Sequence, residues 1–418
     1  MEAEIAQIMA GHHHDSHRHL VDEHSVGRVV AEPGTIDAIV VPTIRHPKWL
    51  AHVIHLAAEL DCPLVTLHSG KWSKAELAAL LMPANVKFIA IDIDNPTFLN
   101  LPDFKTTALL KNTPFARATD LGAKRNMGLL LARLMGWERI VFLDDDIEVS
   151  SPEEVSRAAT LLDTYDAVGM YIGGYPDNSV VCHAHRLSGG CQDSFVGGGA
   201  LAIETTRNPS FFPNIYNEDW FYLLGEKSLR PLAVTGTVAQ RPYDPFDRPI
   251  RARDQELGDV LAEGVYWLLD GKEGTGWEAA TDPAHWRRFL AERKVFINDV
   301  HRRVKRLPAC LAANPQAMVS SLQAALGRLD LINEQLCVSY LKAWMEDRRQ
   351  WADYLAETPQ LKSLAADAIK WLTRDGMPKL RWWMSMQRHD IPADSRTTHK
   401  VQHARKMHPL HPRRHSAR

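Results

Sequence analysis

Three consecutive carboxylates, Asp144, Asp145 and Asp146, close the apolar run at 140–143. Oxygen donors gathered at a strand end suit a hard divalent cation, Mg²⁺ or Mn²⁺, that also holds substrate phosphates. Alternate residues of an extended chain point the same way. Asp144 and Asp146 are therefore expected to share the metal side and Asp145 to face the other. Capping of the following helix is a poorer explanation, because Ser151 and Pro152 already supply its N-cap and first residue. A calcium loop is excluded, since Val149 and Val155 stand where such a loop needs glycine and glutamate.

A second group lies downstream. Gly197, Gly198 and Gly199 precede the apolar stretch at 200–203, and Asn217, Glu218, Asp219 and Trp220 follow. The glycines either allow a ligand close to the backbone or make a tight turn. The two acids either serve a reaction as proton acceptors or complement a helix dipole beneath an Asn217 cap. Between 236 and 247, prolines, aromatics and acids form a loop in which Arg241 is a candidate to neutralise a leaving anion.

The elements that must position these residues are legible as alternation. Apolar runs at 36–41, 63–67, 87–93 and 140–143 alternate with amphipathic stretches at 48–60, 74–82 and 122–135. Continuous apolar runs are expected of parallel strands covered on both faces, so the class is α/β with a mostly parallel sheet flanked by helices. Such sheets bind ligands outside the carboxyl ends of their strands, where Asp144 stands. From about 282 the strand signals fade, and Leu322, Leu326, Leu329, Ile332, Leu336 and Tyr340 predict one apolar stripe along a helix. The resulting division is a leader at 1–33, an α/β domain at 34–281, a helical unit at 282–388 and a basic, His-rich tail at 389–418. Trp344, Trp351, Trp371, Trp382 and Trp383 are read as core of the helical unit rather than as a ligand platform.

Composition narrows the classes. Across 418 residues, 49 Lys plus Arg nearly balance 51 Asp plus Glu, so no global basic field draws the chain to nucleic acid. Its five cysteines are scattered and never in a C-x-x-C pair, against a disulfide framework or zinc cluster. With no secretion signal and no apolar stretch of membrane-spanning length, a cytoplasmic location without a transmembrane segment is expected.

The stretch Gly122-Ala-Lys-Arg-Asn-Met-Gly128, followed by Phe142-Leu-Asp-Asp-Asp-Ile147, resembles the GT-A glycosyltransferases, in particular their family 2 group. The resemblance extends more weakly from about 36 to 270. It implies a GT-A nucleotide-sugar-binding domain and a metal-dependent, hexosyltransferase-type enzyme. The reaction implied is transfer of a sugar from a nucleotide-diphosphate-sugar donor to an acceptor hydroxyl.

On matching positions it implies donor contacts from Pro42, Thr43, Arg45, Arg125, Asn126, Asp144 and Asp145, with metal at Asp144 and Asp146. An acceptor side would be bordered by Gly197, Gly198, Gly199 and Trp220. Asp219 would be the catalytic base and Glu218 the second choice. His68-Ser-Gly70 departs from the pattern where many relatives carry a base-reading acid. A sugar nucleotidyltransferase and a non-catalytic nucleotide-sugar or carbohydrate-binding protein are the alternatives. Against the former, this chain has no glycine-rich, Arg/Lys-bearing loop after the first strand to hold a triphosphate.

Overall fold

The computed structural model describes residues 20–24, 34–173, 179–190, 196–270, 276–307, 314–361 and 365–385. The strands are β1 (Asp22–His24), β2 (Ala38–Thr43), β3 (Leu64–His68), β4 (Phe88–Asp92), β5 (Arg139–Leu143), β6 (Ile147–Val149), β7 (Ala167–Gly173), β8 (Ala200–Glu204), β9 (Leu232–Gln240) and β10 (Arg381–Met384). The first seven helices are α1 (Ala51–Glu59), α2 (Ala75–Ala79), α3 (Lys105–Leu110), α4 (Leu121–Met135), α5 (Pro152–Leu161), α6 (Val180–Leu187) and α7 (Glu218–Leu223). They are followed by α8 (Pro249–Asp270), α9 (Pro283–Lys305), α10 (Pro315–Leu329), α11 (Glu334–Glu357) and α12 (Ala365–Trp371).

All these strands join one mixed sheet in the order β1-β9-β7-β8-β5-β2-β3-β4-β10, with β6 on β9. Strands β5, β2, β3 and β4 run parallel, as do β7, β9 and β1, while β8 lies antiparallel between β5 and β7. The sheet therefore has the α/β, mostly parallel character expected from the uninterrupted apolar runs. One edge collects the ends of β2, β3, β5, β7 and β9 together with the start of β8.

Period-2 alternation divides the core. Val40 and Phe142 point to the face covered by α4 and the C-terminal helices, whereas Ile39, Val41, Val141 and Leu143 point to the face covered by α1 and α5. Each large apolar side chain fully withdrawn from water contributes roughly 1.5–3 kcal/mol. Helix α4 lies very close to the sheet at Gly128, where a Cβ would stand 2.9 Å from the Phe142 ring and 3.0 Å from Val40. That contact fixes the depth of the helix carrying Lys124 and Arg125.

Several expectations change. Residues 22–24, placed in the leader, form a parallel edge strand on β9, and His24 Nε2 lies 3.1 Å from the Tyr165 hydroxyl. Residues 1–19 and 25–33 of the leader and the tail at 389–418 lie outside the described residues. The stripe from Leu322 to Tyr340 is two helices, because Asn333 accepts the Leu336 N–H at 2.9 Å and starts α11 afresh. The break expected near 282 is also bridged. After its helices the chain returns through β10 to pair antiparallel with β4, and the described residues belong to one compact unit. Trp344 and Trp351 are fully buried in the shared core.

Candidate active site

The acid triplet follows the last residue of β5 as a turn, not as extended chain: the Ile147 N–H donates to Asp144 O at 3.1 Å and leads into β6. The alternation argued for extended chain therefore does not hold, and Asp145 and Asp146 end up sharing one partner. Arg45, from the loop after β2, donates to Asp145 and, at 2.9 Å, to Asp146. Thr43 Oγ1 donates to the other Asp145 oxygen at 2.5 Å. Asp145 is buried as the inner anchor of the β2 loop. Asp144 turns the other way, accepting from Arg125 at 3.0 Å with its side chain 34% exposed.

Arg125 is the hub. Its guanidinium is buried, donates to Asp144 and, at 2.5 Å, to Glu218 at the start of α7, and lies over the Phe212 ring. The glycine run makes room for these groups. A Cβ on Gly198 would run into the Arg125 guanidinium, and one on Gly199 would stand 3.1 Å from Asp144 Oδ2. Gly199 O in turn accepts the Asp144 N–H at 2.9 Å, while Gly197 belongs to the turn that starts β8. The close approach allowed by the glycines is thus to the protein's own Arg125 and Asp144.

Asp219 faces the same turn and accepts the Gly198 N–H at 2.5 Å and the Trp220 N–H at 3.0 Å. Burial raises the pKa of both Asp219 and Glu218, against the lowering influence of Arg125, so proton uptake by this pair is eased. Asn217 stands at the cap position but in the left-handed region, φ 59, without a capping bond. Its amide instead donates to Asp259 Oδ1 of α8 at 3.0 Å.

Other expected contacts are directed elsewhere. Asn126 is buried, with its amide donating to Phe212 O at 2.9 Å and accepting the Phe212 N–H at 2.7 Å, so it positions the 212 segment. Trp220 is fully buried against Tyr266. Pro42 is buried within β2, beyond the last β2–β5 pair. Arg241 sits at the rim: its N–H donates to Asp146 O at 2.9 Å and its guanidinium to Glu148 at 2.7 Å. Arg241 and Arg45 both lie over Trp49, at 4.7 and 5.4 Å.

Sequence reasoning passed over Lys124, although it lies inside the quoted motif. The buried ammonium donates to Thr43 O at 2.9 Å and Ser69 Oγ at 2.6 Å and pairs with Asp120 at 3.1 Å, tying the ends of β2 and β3 to α4. Burial lowers its pKa, with Asp120 opposing. Neighbouring His68, between Ser73 Oγ and Thr66 Oγ1 at 2.8 Å each, is pushed down to about 3 by burial and the Lys124 charge, and so is neutral. Only the spatial adjacency of two strand ends reveals this group.

Among the described residues, no three His, Cys, Asp or Glu side chains form a metal-holding cluster. The donor chemistry does fit Mg²⁺ or Mn²⁺ of the kind held by one or two carboxylates plus substrate phosphates. Asp144 and Asp146 lie on one turn, and carboxylates outnumber the cations around them. Also among the described residues, no helix is long and apolar enough to cross a membrane.

No family model matches the chain, and no curated protein does. Among solved structures it is similar to the mannosyltransferase PcManGT from Pyrobaculum calidifontis, in complex with GDP-Man and Mn2+. That match has 12% identity and a TM-score of 0.34, covering 82% of this chain and 90% of that one. It is also similar to a protein of Desulfovibrio desulfuricans G20 described as a nucleotide-diphospho-sugar transferase, at 12% identity and a TM-score of 0.29, over 61% of this chain and 99% of that one. Both likenesses are distant.

Proposed function

We propose that the chain is a metal-dependent glycosyltransferase of GT-A type, moving a sugar from a nucleotide-diphosphate-sugar to an acceptor hydroxyl. The observation that carries this reading is one constellation at the carboxyl edge of the sheet. There, Asp144 and Asp146 stand on the turn that follows the central strand β5, Arg125 bridges Asp144 to Glu218, and Asp219 is held beside them by the Gly198 N–H.

In this reading Asp144 and Asp146 hold Mg²⁺ or Mn²⁺, which offsets charge on a leaving diphosphate when bound. Asp145 keeps Thr43 and Arg45 in place beneath the donor. The acceptor oxygen attacks the anomeric carbon as the bond from that carbon to the diphosphate oxygen breaks. The leaving diphosphate takes the bonding electrons, and Asp219 takes the hydroxyl proton. Asp219 is preferred to Glu218 because Glu218 is buried and directly paired with Arg125, whereas Asp219 is half-buried. Direct displacement of this kind inverts the anomeric centre.

The test is to incubate nucleotide-diphosphate-sugars of each base with Mn²⁺ and a panel of hydroxyl acceptors. Acceptor-dependent release of nucleoside diphosphate is expected. Release of pyrophosphate from a nucleoside triphosphate and a sugar phosphate would instead show a nucleotidyltransferase.

A further inference from the structure

Beside the proposed site lies a separate cleft of about 350 Å³, between the 114–119 segment that leads into α4, Tyr216, and the helices α8 and α10. Three guanidiniums line it, from Arg117, Arg253 and Arg328, against the single carboxylate of Asp254. Arg253 donates to Asp254 at 3.0 Å, and Arg328 stands 3.8 Å from the same carboxylate. Arg117 lies over the Tyr216 ring at 5.6 Å and has no carboxylate partner among the described residues. Arg328 is only 8% exposed, donates to Pro114 O, and keeps a buried Nε–H without a partner. Burial and the Arg253 charge both lower the pKa of Arg328, as expected for guanidiniums crowded together with too little negative charge.

The cleft adjoins the chemistry. Tyr216 is two residues before Glu218, the 114–119 segment runs into the helix bearing Lys124 and Arg125, and the Arg117 charge is felt at Glu218. Planar guanidiniums recognise phosphate through paired N–H donors, and three of them against one carboxylate suit a dianion better than a neutral sugar. The geometry points to this cleft as the seat of a phosphomonoester carried by the acceptor, with Arg117, Arg253 and Arg328 as its ligands. This assignment rests on the glycosyltransferase reading for the word acceptor, but not for the binding of phosphate.

Calorimetric titration of the full chain with glycerol phosphate, and separately with a nucleoside diphosphate plus Mn²⁺, tests it on wild type, Arg117→Gln, Arg253→Gln and Asp146→Asn. Arg328→Lys is avoided because Arg328 also supports Pro114. Glycerol phosphate binding is expected to weaken roughly tenfold in each arginine variant, the scale of one lost charge-assisted contact, with nucleotide binding unchanged. Asp146→Asn is expected to do the reverse. Undiminished glycerol phosphate binding in both arginine variants would overturn the assignment. So would competition between nucleotide and glycerol phosphate, which would make the cleft the donor's own. Arginine-dependent phosphate binding without any nucleotide binding would sustain the cleft and sink the glycosyltransferase reading.

Discussion

The carboxylates gathered at the sheet edge and those gathered around Arg293 differ in what reaches them. At the sheet edge, Asp144, Glu218 and Asp219 gather around Arg125, with Asp145 and Asp146 on Arg45, whose side chain is 40% exposed. Between α8 and α9, Glu256, Asp259 and Glu263 all contact Arg293, and every member is sealed from water. The edge cluster stands on turns and the first residues of a short helix, at the carboxyl ends of strands. The carboxylates of the sealed one stand on consecutive turns of one long helix, α8, and Arg293 reaches them from α9. A carboxylate cluster becomes a candidate site through access and strand-end placement, while similar chemistry inside a helical layer is structural. Asn217 joins the two, holding Asp259 while its left-handed backbone starts the helix that presents Glu218 and Asp219.

The largest effect that would break this contrast is catalytic. Asp219→Asn keeps size and one of the two backbone N–H contacts, from Gly198 or Trp220, but removes the proton acceptor, so turnover should fall roughly 10²–10⁴-fold with donor affinity preserved. Single-turnover kinetics beside nucleotide titration would check it. Unchanged turnover would return Asp219 to a helix-dipole role.

Next comes Arg293→Met, which leaves three buried carboxylates without their cation and should cost about 3–5 kcal/mol, read by urea denaturation. A loss below about 1 kcal/mol would mean that the sealed cluster is not structural.

A smaller effect concerns pH. Burial pushes Glu256 and Asp259 up to about 7 despite Arg293, so the folded state holds protons that the unfolded state has released. Their stabilising contribution is full below the ordinary carboxylate range and is lost as pH rises towards 7, with a slope of about 1.4 kcal/mol per pH unit for each proton. Glu256→Gln retains a hydrogen-bond acceptor for Arg293 and should flatten the fall in stability between about pH 4.5 and 7. An identical pH profile in denaturant titrations would show that Glu256 stays ionised throughout.

The same contrast explains how far the sequence could be read. Asp144, Asp145 and Asp146 are adjacent in the chain and end an apolar run, so both the cluster and its edge position were visible. Their side-chain directions were not, because the Ile147 N–H folds the triplet into a turn. Arg125 came from its motif, but Lys124 beside it did not, since its role depends on where two other strands end. Glu256, Asp259 and Glu263 did carry a signal, recurring along one helical face among Leu257, Val260 and Leu261, yet nothing in the pattern named Arg293 as the partner. The strands β1 and β10 escaped because three or four residues at a sheet edge carry too short an alternation to register.

The central claim, that the edge cluster holds a divalent cation together with a nucleoside diphosphate, is tested most directly by calorimetry. Nucleoside diphosphates are titrated with and without Mn²⁺ into wild type, Asp146→Ala and Asp145→Ala. Wild type should bind appreciably only with the metal, and Asp146→Ala should lose that dependence while staying folded. Asp145→Ala should weaken binding less, through loosening of Thr43 and Arg45. Wild-type binding that is indifferent to Mn²⁺, or damage confined to Asp145→Ala, would contradict the account.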